Sequence, residues 1–131
     1  MSRENVEIVR RLYAEPKATL AFDYYASDIE WNMTHYSGWT DDPIYLGHEG
    51  VRPFMRGWIH SFDQWEPTIE RVVDAGDEVV ALVNDRAYLK GSSLPITRRF
   101  AHRFSFQGGK IVRSVLYSEP AEALEAVGLA E

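Results

Sequence analysis

Apolar positions in the first part of the chain recur at helical spacing. Ser2 is placed to cap a first helix, with acids in its first turn at Glu4 and Glu7. Val6, Val9, Leu12 and Tyr13 then fall on one stripe. Pro16 interrupts that stripe and suits the first position of a second helix, with Leu20, Ala21, Tyr24 and Tyr25 as its apolar face and Asp28 as its end. At Ile29 the period changes to two: Ile29, Trp31 and Met33 alternate with Glu30, Asn32 and Thr34, as in a half-buried strand. Residues 35–47 are punctuated by Gly38, Asp41, Asp42, Pro43 and Gly47 and predict a loop, either a plain surface connection or, given its His, Tyr and Trp, a lid. Val51, Phe54, Met55, Trp58, Ile59 and Phe62 return to helical spacing and give a third helix a wide apolar face.

From Trp65 onward the pattern is strand and turn. Residues 65–74, 78–90, 96–106 and 111–117 read as strands, separated by Ala75-Gly76-Asp77, by Gly91-Ser92-Ser93 with Pro95, and by Gln107-Gly108-Gly109-Lys110. Ser118 is placed to cap a short last helix through Pro120, Leu124 and Val127 that ends at Gly128. Strands that arrive as hairpins make an α+β fold rather than α/β. The expected architecture is a cone-shaped, curved antiparallel or mixed sheet. Three helices from the N-terminal half cover its concave face, and a short C-terminal helix follows. Residues 1–131 read as a single domain.

Composition narrows the function classes. Fourteen basic against twenty acidic residues leave a net charge of −6, which disfavours a nucleic-acid partner. With no cysteine there is no disulfide, thiolate nucleophile or cysteine-held metal. The sequence has no apolar run of the roughly 18 residues a membrane span needs, and its charged beginning lacks the apolar stretch of a secretory signal, so a cytoplasmic location is expected. His35, His48, His60 and His102 lack ligand spacing, so neither a metal nor a cofactor is expected. Aromatic residues make up 13% of the chain and must fill a core, an interface or a pocket.

The third meander strand carries the candidate chemistry. Phe100, His102, Phe104 and Phe106 share one face, and Arg99, Ala101, Arg103 and Ser105 share the other. A histidine among phenylalanines is either a hydrogen-bonded core residue or an acid/base group. A hairpin centred near 92–95 sets Asp85 opposite His102, where the pair would relieve a buried carboxylate and orient an imidazole. A one-residue slip would turn Asp85 to solvent instead. Phe54, Trp58 and Phe62, with Trp31 or Asn32 and with Tyr24 or Tyr25, are expected around this pair. A two-residue Gly-Gly turn would put Val115 and Tyr117 on the face of His102, whereas a three-residue loop with a bulge would put Ser114 and Leu116 there. Arg98, Arg99 and Arg103 are expected to pair with Glu66, Glu70 or Asp74, across the sheet or across a dimer.

Three stretches carry a family resemblance: Ala-Ser-Asp-Ile-Glu-Trp-Asn at 26–32, Tyr-Leu-Gly-His-Glu-Gly-Val-Arg at 45–52, and the run from Phe100-Ala101-His102-Arg103-Phe104 through Tyr117 to Leu129. With these the chain resembles the SnoaL-like group of the nuclear transport factor 2-like, ketosteroid isomerase-like superfamily. The resemblance to the isomerases sets Asn32 at the position of their general-base carboxylate and His102 at that of their oxyanion donor. An amide is no base, and a neutral histidine can still donate. No residue of the first helix clearly matches the isomerase oxyanion tyrosine; Tyr13 is nearby but belongs to the buried stripe, which favours core packing over catalysis. Against limonene epoxide hydrolase, Asp85 and Asn32 match, while Val83, Leu116 and Glu30 replace the remaining roles; this comparison also favours Leu116 over Tyr117 in the pocket.

The resemblance thus implies a pocket for a small, mostly apolar, oxygenated molecule. Isomerase, cyclase or hydrolase chemistry would run through His102, Asp85 and Asn32 without a cofactor. Its wall would be Trp31, Phe54, Trp58, Phe62, Phe100, Phe104, Leu116 and Tyr117. It also implies a homodimer. The alternative is a non-catalytic ligand-binding or dimeric interaction domain.

Overall fold

A computed structural model describes residues 2–14 and 23–129. The elements are α1 (Ser2–Ala14), β1 (Tyr25–His35), β2 (Ile44–Leu46), α2 (Gly47–His60), β3 (Phe62–Ala75), β4 (Glu78–Leu89), β5 (Ile96–Gln107), β6 (Lys110–Tyr117) and α3 (Pro120–Ala126). The six strands form one sheet in the order β2-β1-β6-β5-β4-β3. Only β1 and β6 run parallel, so the sheet is mixed.

Alternation along β4 explains the layers. Val79, Ala81 and Val83 face a core that includes Val9 and Leu12 of α1 and Val51 and Met55 of α2. Val80 and Leu82 face the opposite side, where Ala123 and Leu124 of α3 cover them together with Val115 and Tyr117. Burying both faces accounts for the nearly continuous apolar run in β4.

Three features depart from the sequence reading. Among the described residues there are three helices, two of them in the N-terminal half, rather than three plus one. The expected second helix falls largely on 15–22, outside the described residues; its assigned end, Tyr25–Asp28, is the start of β1. Tyr25 is buried there with its ring 6.5 Å from that of Trp31. The predicted loop 35–47 contains β2, which pairs Tyr45 with Trp31. Glu119, not Ser118, occupies the N-cap position of the last helix, without a side-chain capping bond; the Ser118 hydroxyl instead accepts the Ser37 amide.

Two turns fix the registers. Gly91 has φ +80°, and the Ser92 amide closes on the Leu89 carbonyl at 2.9 Å, so the β4–β5 hairpin tightens around 89–92. Ala81 therefore lies opposite His102, and Asp85 opposite Arg98. Between β5 and β6, Gly108 and Gly109 both have positive φ and make a two-residue turn. A register shift between Ser105 and Phe106 follows it, and Phe104 faces Ser114 while His102 faces Leu116. The tight turn and the bulge occur together, and the bulge decides that Ser114 and Leu116 share the face of His102.

Candidate functional site

The two N-terminal-half helices and the sheet face they pack on line an apolar pocket. Leu12 and Tyr13 of α1 line it, as do Tyr25 and Trp31 of β1. Phe54, Met55, Trp58 and Ile59 come from successive turns of α2. Trp65 of β3, Phe100, His102 and Phe104 of β5, and Leu116 of β6 complete the wall. The centres of water-sized spheres can occupy about 50 Å³ of it, within about 570 Å³ of empty space that includes its opening to solvent.

His102 is the imidazole in this wall, which also carries the Tyr13 and Tyr25 phenols. Its imidazole is stacked on Phe104 at 3.7 Å between ring centres and meets Trp31 edge-on at 5.1 Å. Nδ1 lies 2.6 Å from the Tyr13 hydroxyl, and Nε2 lies 3.0 Å from the Ser114 hydroxyl. His102 is 3% exposed and Ser114 is 0% exposed. Burial pushes the pKa of His102 from 6.5 down to about 3, so the ring is neutral. Burial likewise pushes Tyr13 well above its ordinary value, with smaller contributions from Tyr25 and Asp85, so the phenol keeps its proton.

A neutral imidazole has one donor and one acceptor nitrogen, and both hydroxyls can reverse. In one tautomer Tyr13 donates to Nδ1 while Nε2–H donates to Ser114. In the other, Ser114 donates to Nε2 and Nδ1–H donates to the Tyr13 oxygen, which frees the phenolic O–H for another acceptor. The Tyr13–His102–Ser114 chain can therefore present either a donor or an acceptor at Tyr13 without separating charge.

Asp85 does not join this chain. Its carboxylate, 3% exposed as a residue, accepts Nε of Arg98 at 3.1 Å, Nη2 of Arg98 at 2.6 Å and the Trp65 indole N–H at 2.8 Å. The expected Asp85–His102 pair is replaced because the hairpin centre sits closer to Gly91, which moves each cross-strand partner by four residues. Four is even, so Asp85 keeps the expected face and changes only its partner. The Arg98 guanidinium lies 5.0 Å from the Trp58 ring and 5.3 Å from the Phe62 ring. Burial opposes the charge of Arg98, but its hydrogen bonds and ion pair with Asp85 outweigh that and raise its pKa; a Tyr36 hydrogen bond adds to the effect.

The remaining sequence candidates divide by face. Trp31, Phe54, Trp58, Phe100, Phe104 and Leu116 line the pocket. Phe62, expected on the helix and in the wall, instead opens β3 because α2 ends at His60, and it packs 5.8 Å from Trp58 without lining the pocket. Tyr117 lies on the other side of the sheet, where Arg103 donates to its hydroxyl and His35 stacks on its ring at 4.9 Å. Asn32 also faces away, because it alternates with Trp31; its oxygen accepts from the Thr34 amide at 2.8 Å and the Thr34 hydroxyl at 2.6 Å, and its NH2 reaches Glu30 at 3.5 Å. Arg99 meets Glu70 at 3.0 Å, one of the expected outer-face pairs. Arg103 takes Glu78 instead, at 2.9 Å.

Sequence reasoning gave Trp65 no role, offered Ser114 only as one alternative for the last strand, and expected Arg98 to pair with Glu66, Glu70 or Asp74 rather than with Asp85. A signal existed for Arg98: it shares the parity of Phe100 and His102, and a carboxylate on that face requires a cation. The sequence left Ser114 as one of two open registers, and the bulge between Ser105 and Phe106 selected it.

Residues 6–114 match the family model of the SnoaL-like domain. No curated protein matches the chain. Among solved structures, TerC co-crystallised with polyporic acid superimposes with a TM-score of 0.75 at 19% identity, covering 95% of this chain and 98% of that one. A protein of ketosteroid isomerase-like fold from Catenulispora acidiphila, in complex with trimethylamine, gives 0.70 at 20% identity over 94% and 93%. An NTF2-like protein of unknown function from Burkholderia pseudomallei gives 0.67 at 21% identity over 96% and 93%. At these identities the likeness is one of fold.

Proposed function

The chain belongs to the SnoaL-like domain family, and we propose that it binds a small, mostly apolar, oxygenated molecule inside its cone, with Tyr13 meeting an oxygen of that molecule. The observation that carries this reading is the closed Tyr13–His102–Ser114 chain within an otherwise apolar wall. A buried polar chain that reaches the cavity through one phenol suits a ligand with one inward-facing carbonyl or hydroxyl. TerC and the Catenulispora protein were each crystallised with a small molecule, which supports the same use of the fold.

The chemistry available is hydrogen-bond donation to a carbonyl that gains negative charge. As that charge grows, Tyr13 donates more strongly, Nδ1–H supports the phenol oxygen, and Ser114 supports Nε2. An isomerase or cyclase step on a substrate with an acidic C–H fits this pattern. A neutral histidine with both nitrogens engaged is a poor proton abstractor, and Asp85 is committed to Arg98 and Trp65. Those two facts favour binding without turnover as the second reading. Self-association through the outer sheet face belongs to the same proposal, with light scattering as its check.

The test is a thermal-shift screen against polyketide fragments, lactones, steroids and terpene epoxides, followed by calorimetry and a turnover assay on hits. Ligand at ~100 times its Kd should add about 2.7 kcal/mol of stability. Tyr13→Phe should weaken a hit about tenfold while the fold persists. Absence of any hit, or a hit indifferent to Tyr13→Phe, overturns the assignment.

A further inference from the structure

The Arg98–Asp85 pair has a geometry that stability alone does not require. Asp85 is sealed, with 0% of its side chain exposed, while Arg98 keeps 25%. Of five guanidinium N–H groups, the two hydrogen bonds to Asp85 use one on Nε and one on Nη2, and Tyr36 takes up another. Two remain, on a cation seated over the faces of Trp58 and Phe62.

Two of the three pocket tryptophans are tied to this pair. Trp65 donates its indole N–H to Asp85, and Trp58 lies under Arg98. Tyr36 packs edge-on against Trp58 at 6.4 Å between ring centres. A ligand lying against Trp58 and Trp65 would thus end beside the unspent N–H groups of Arg98. Arg98 stands just outside the apolar wall and also borders a more polar cleft with Glu66, Asn84, Arg86 and Arg99; being only partly exposed, it can make a charge-assisted hydrogen bond stronger than one at an open surface. The chain as a whole carries −6 and repels acids at long range, so a local cation is the feature that admits one.

Resting on the pocket reading above, we infer that Arg98, anchored by Asp85, recognises an acidic oxygen at the outer end of the ligand. The preferred ligand class is an apolar ring or chain with a carboxylate or ionised enol at one end, whose inner oxygen, where present, meets Tyr13. Neutral steroids and terpenes of the same size are the disfavoured class.

Calorimetry with benzoate, 2-naphthoate and the methyl ester of each tests this on the full chain. At least one acid should bind about tenfold more tightly than its ester. Arg98→Met alone leaves Asp85 buried without a partner and risks unfolding. The Asp85→Asn/Arg98→Met double variant removes both charges, and its fold is checked by circular dichroism and thermal melting. The folded double variant should lose the acid preference and keep ester binding. Arg98→Lys should retain part of the preference, because the charge survives while the fork is lost. Equal or tighter ester binding by the native chain overturns the inference and leaves the pocket reading standing. An acid preference that persists in the folded double variant also overturns it. If none of the four compounds binds, the pocket reading falls and this inference falls with it.

Discussion

The Tyr13 hydroxyl lies 2.6 Å from Nδ1 of His102, although 89 residues separate them, and their rings are perpendicular within a few degrees. The contact joins the last turn of α1 to the middle of β5, and with Ser114 behind it the imidazole has no unsatisfied nitrogen.

Replacing His102 should therefore be costly. His102→Ala removes the ring stacked on Phe104 and leaves the buried Ser114 and Tyr13 hydroxyls without their partner. The expected loss is about 2–4 kcal/mol in urea unfolding. His102→Gln, which can still reach one hydroxyl, should lose less. Equal stability of His102→Ala and the native chain would contradict the buried hydrogen-bonded arrangement.

The neutral state of His102 gives a pH signature. Its pKa is about 3 in the folded chain against an ordinary 6.5. Between those values the unfolded chain binds a proton that the folded chain does not. Stability is therefore full above pH 6.5 and falls as pH drops, by about 1.4 kcal/mol per unit, until the folded pKa is reached. His102→Gln should lack this slope, so the difference between the two unfolding curves from pH 6.5 to 5 isolates it from the carboxylates. Parallel curves would mean that the imidazole titrates normally.

The buried ion pair makes an asymmetric prediction. Asp85→Ala should destabilise by about 3–5 kcal/mol, because it strands the Arg98 charge and removes the acceptor of the Trp65 N–H. Asp85→Leu combined with Arg98→Met should lie much closer to native stability, since apolar groups suit that wall. Chemical unfolding of the three variants checks this, and additive losses in the double variant would refute the coupling.

Asn32 faces away from the pocket, and its substitution should separate stability from binding. Asn32→Ala loses the hydrogen bonds to Thr34 and should cost about 1 kcal/mol. Affinity for any pocket ligand should stay unchanged in calorimetry. A large loss of affinity would place Asn32 in the site after all.

Much of the site was written into local pattern. The parity of Phe100, His102 and Phe104 put the histidine on the concave face, and the i, i+4 spacing of Phe54 and Trp58 put those rings on one side of α2. The same parity assigned Asp85 to that face. These inferences held because side-chain direction repeats every two residues in a strand and every 3.6 in a helix, whatever the element packs against.

Partners, by contrast, depend on where a turn closes. Gly91 tightening the β4–β5 hairpin gave Asp85 to Arg98 rather than to His102, and the bulge near Ser105 delivered Ser114 to Nε2. Asn32, matched by resemblance to a catalytic position, turned outward because Trp31 took the inward place. Tyr13 met His102 only once α1 had packed across the sheet. Sequence alone determined which faces are apolar and most of the elements, since those follow from residue type and period; Tyr25–Asp28 and Ile44–Leu46 became strand only by pairing in the sheet. The tertiary structure decided which polar groups touch, because register and helix docking are set by the packing of the whole chain.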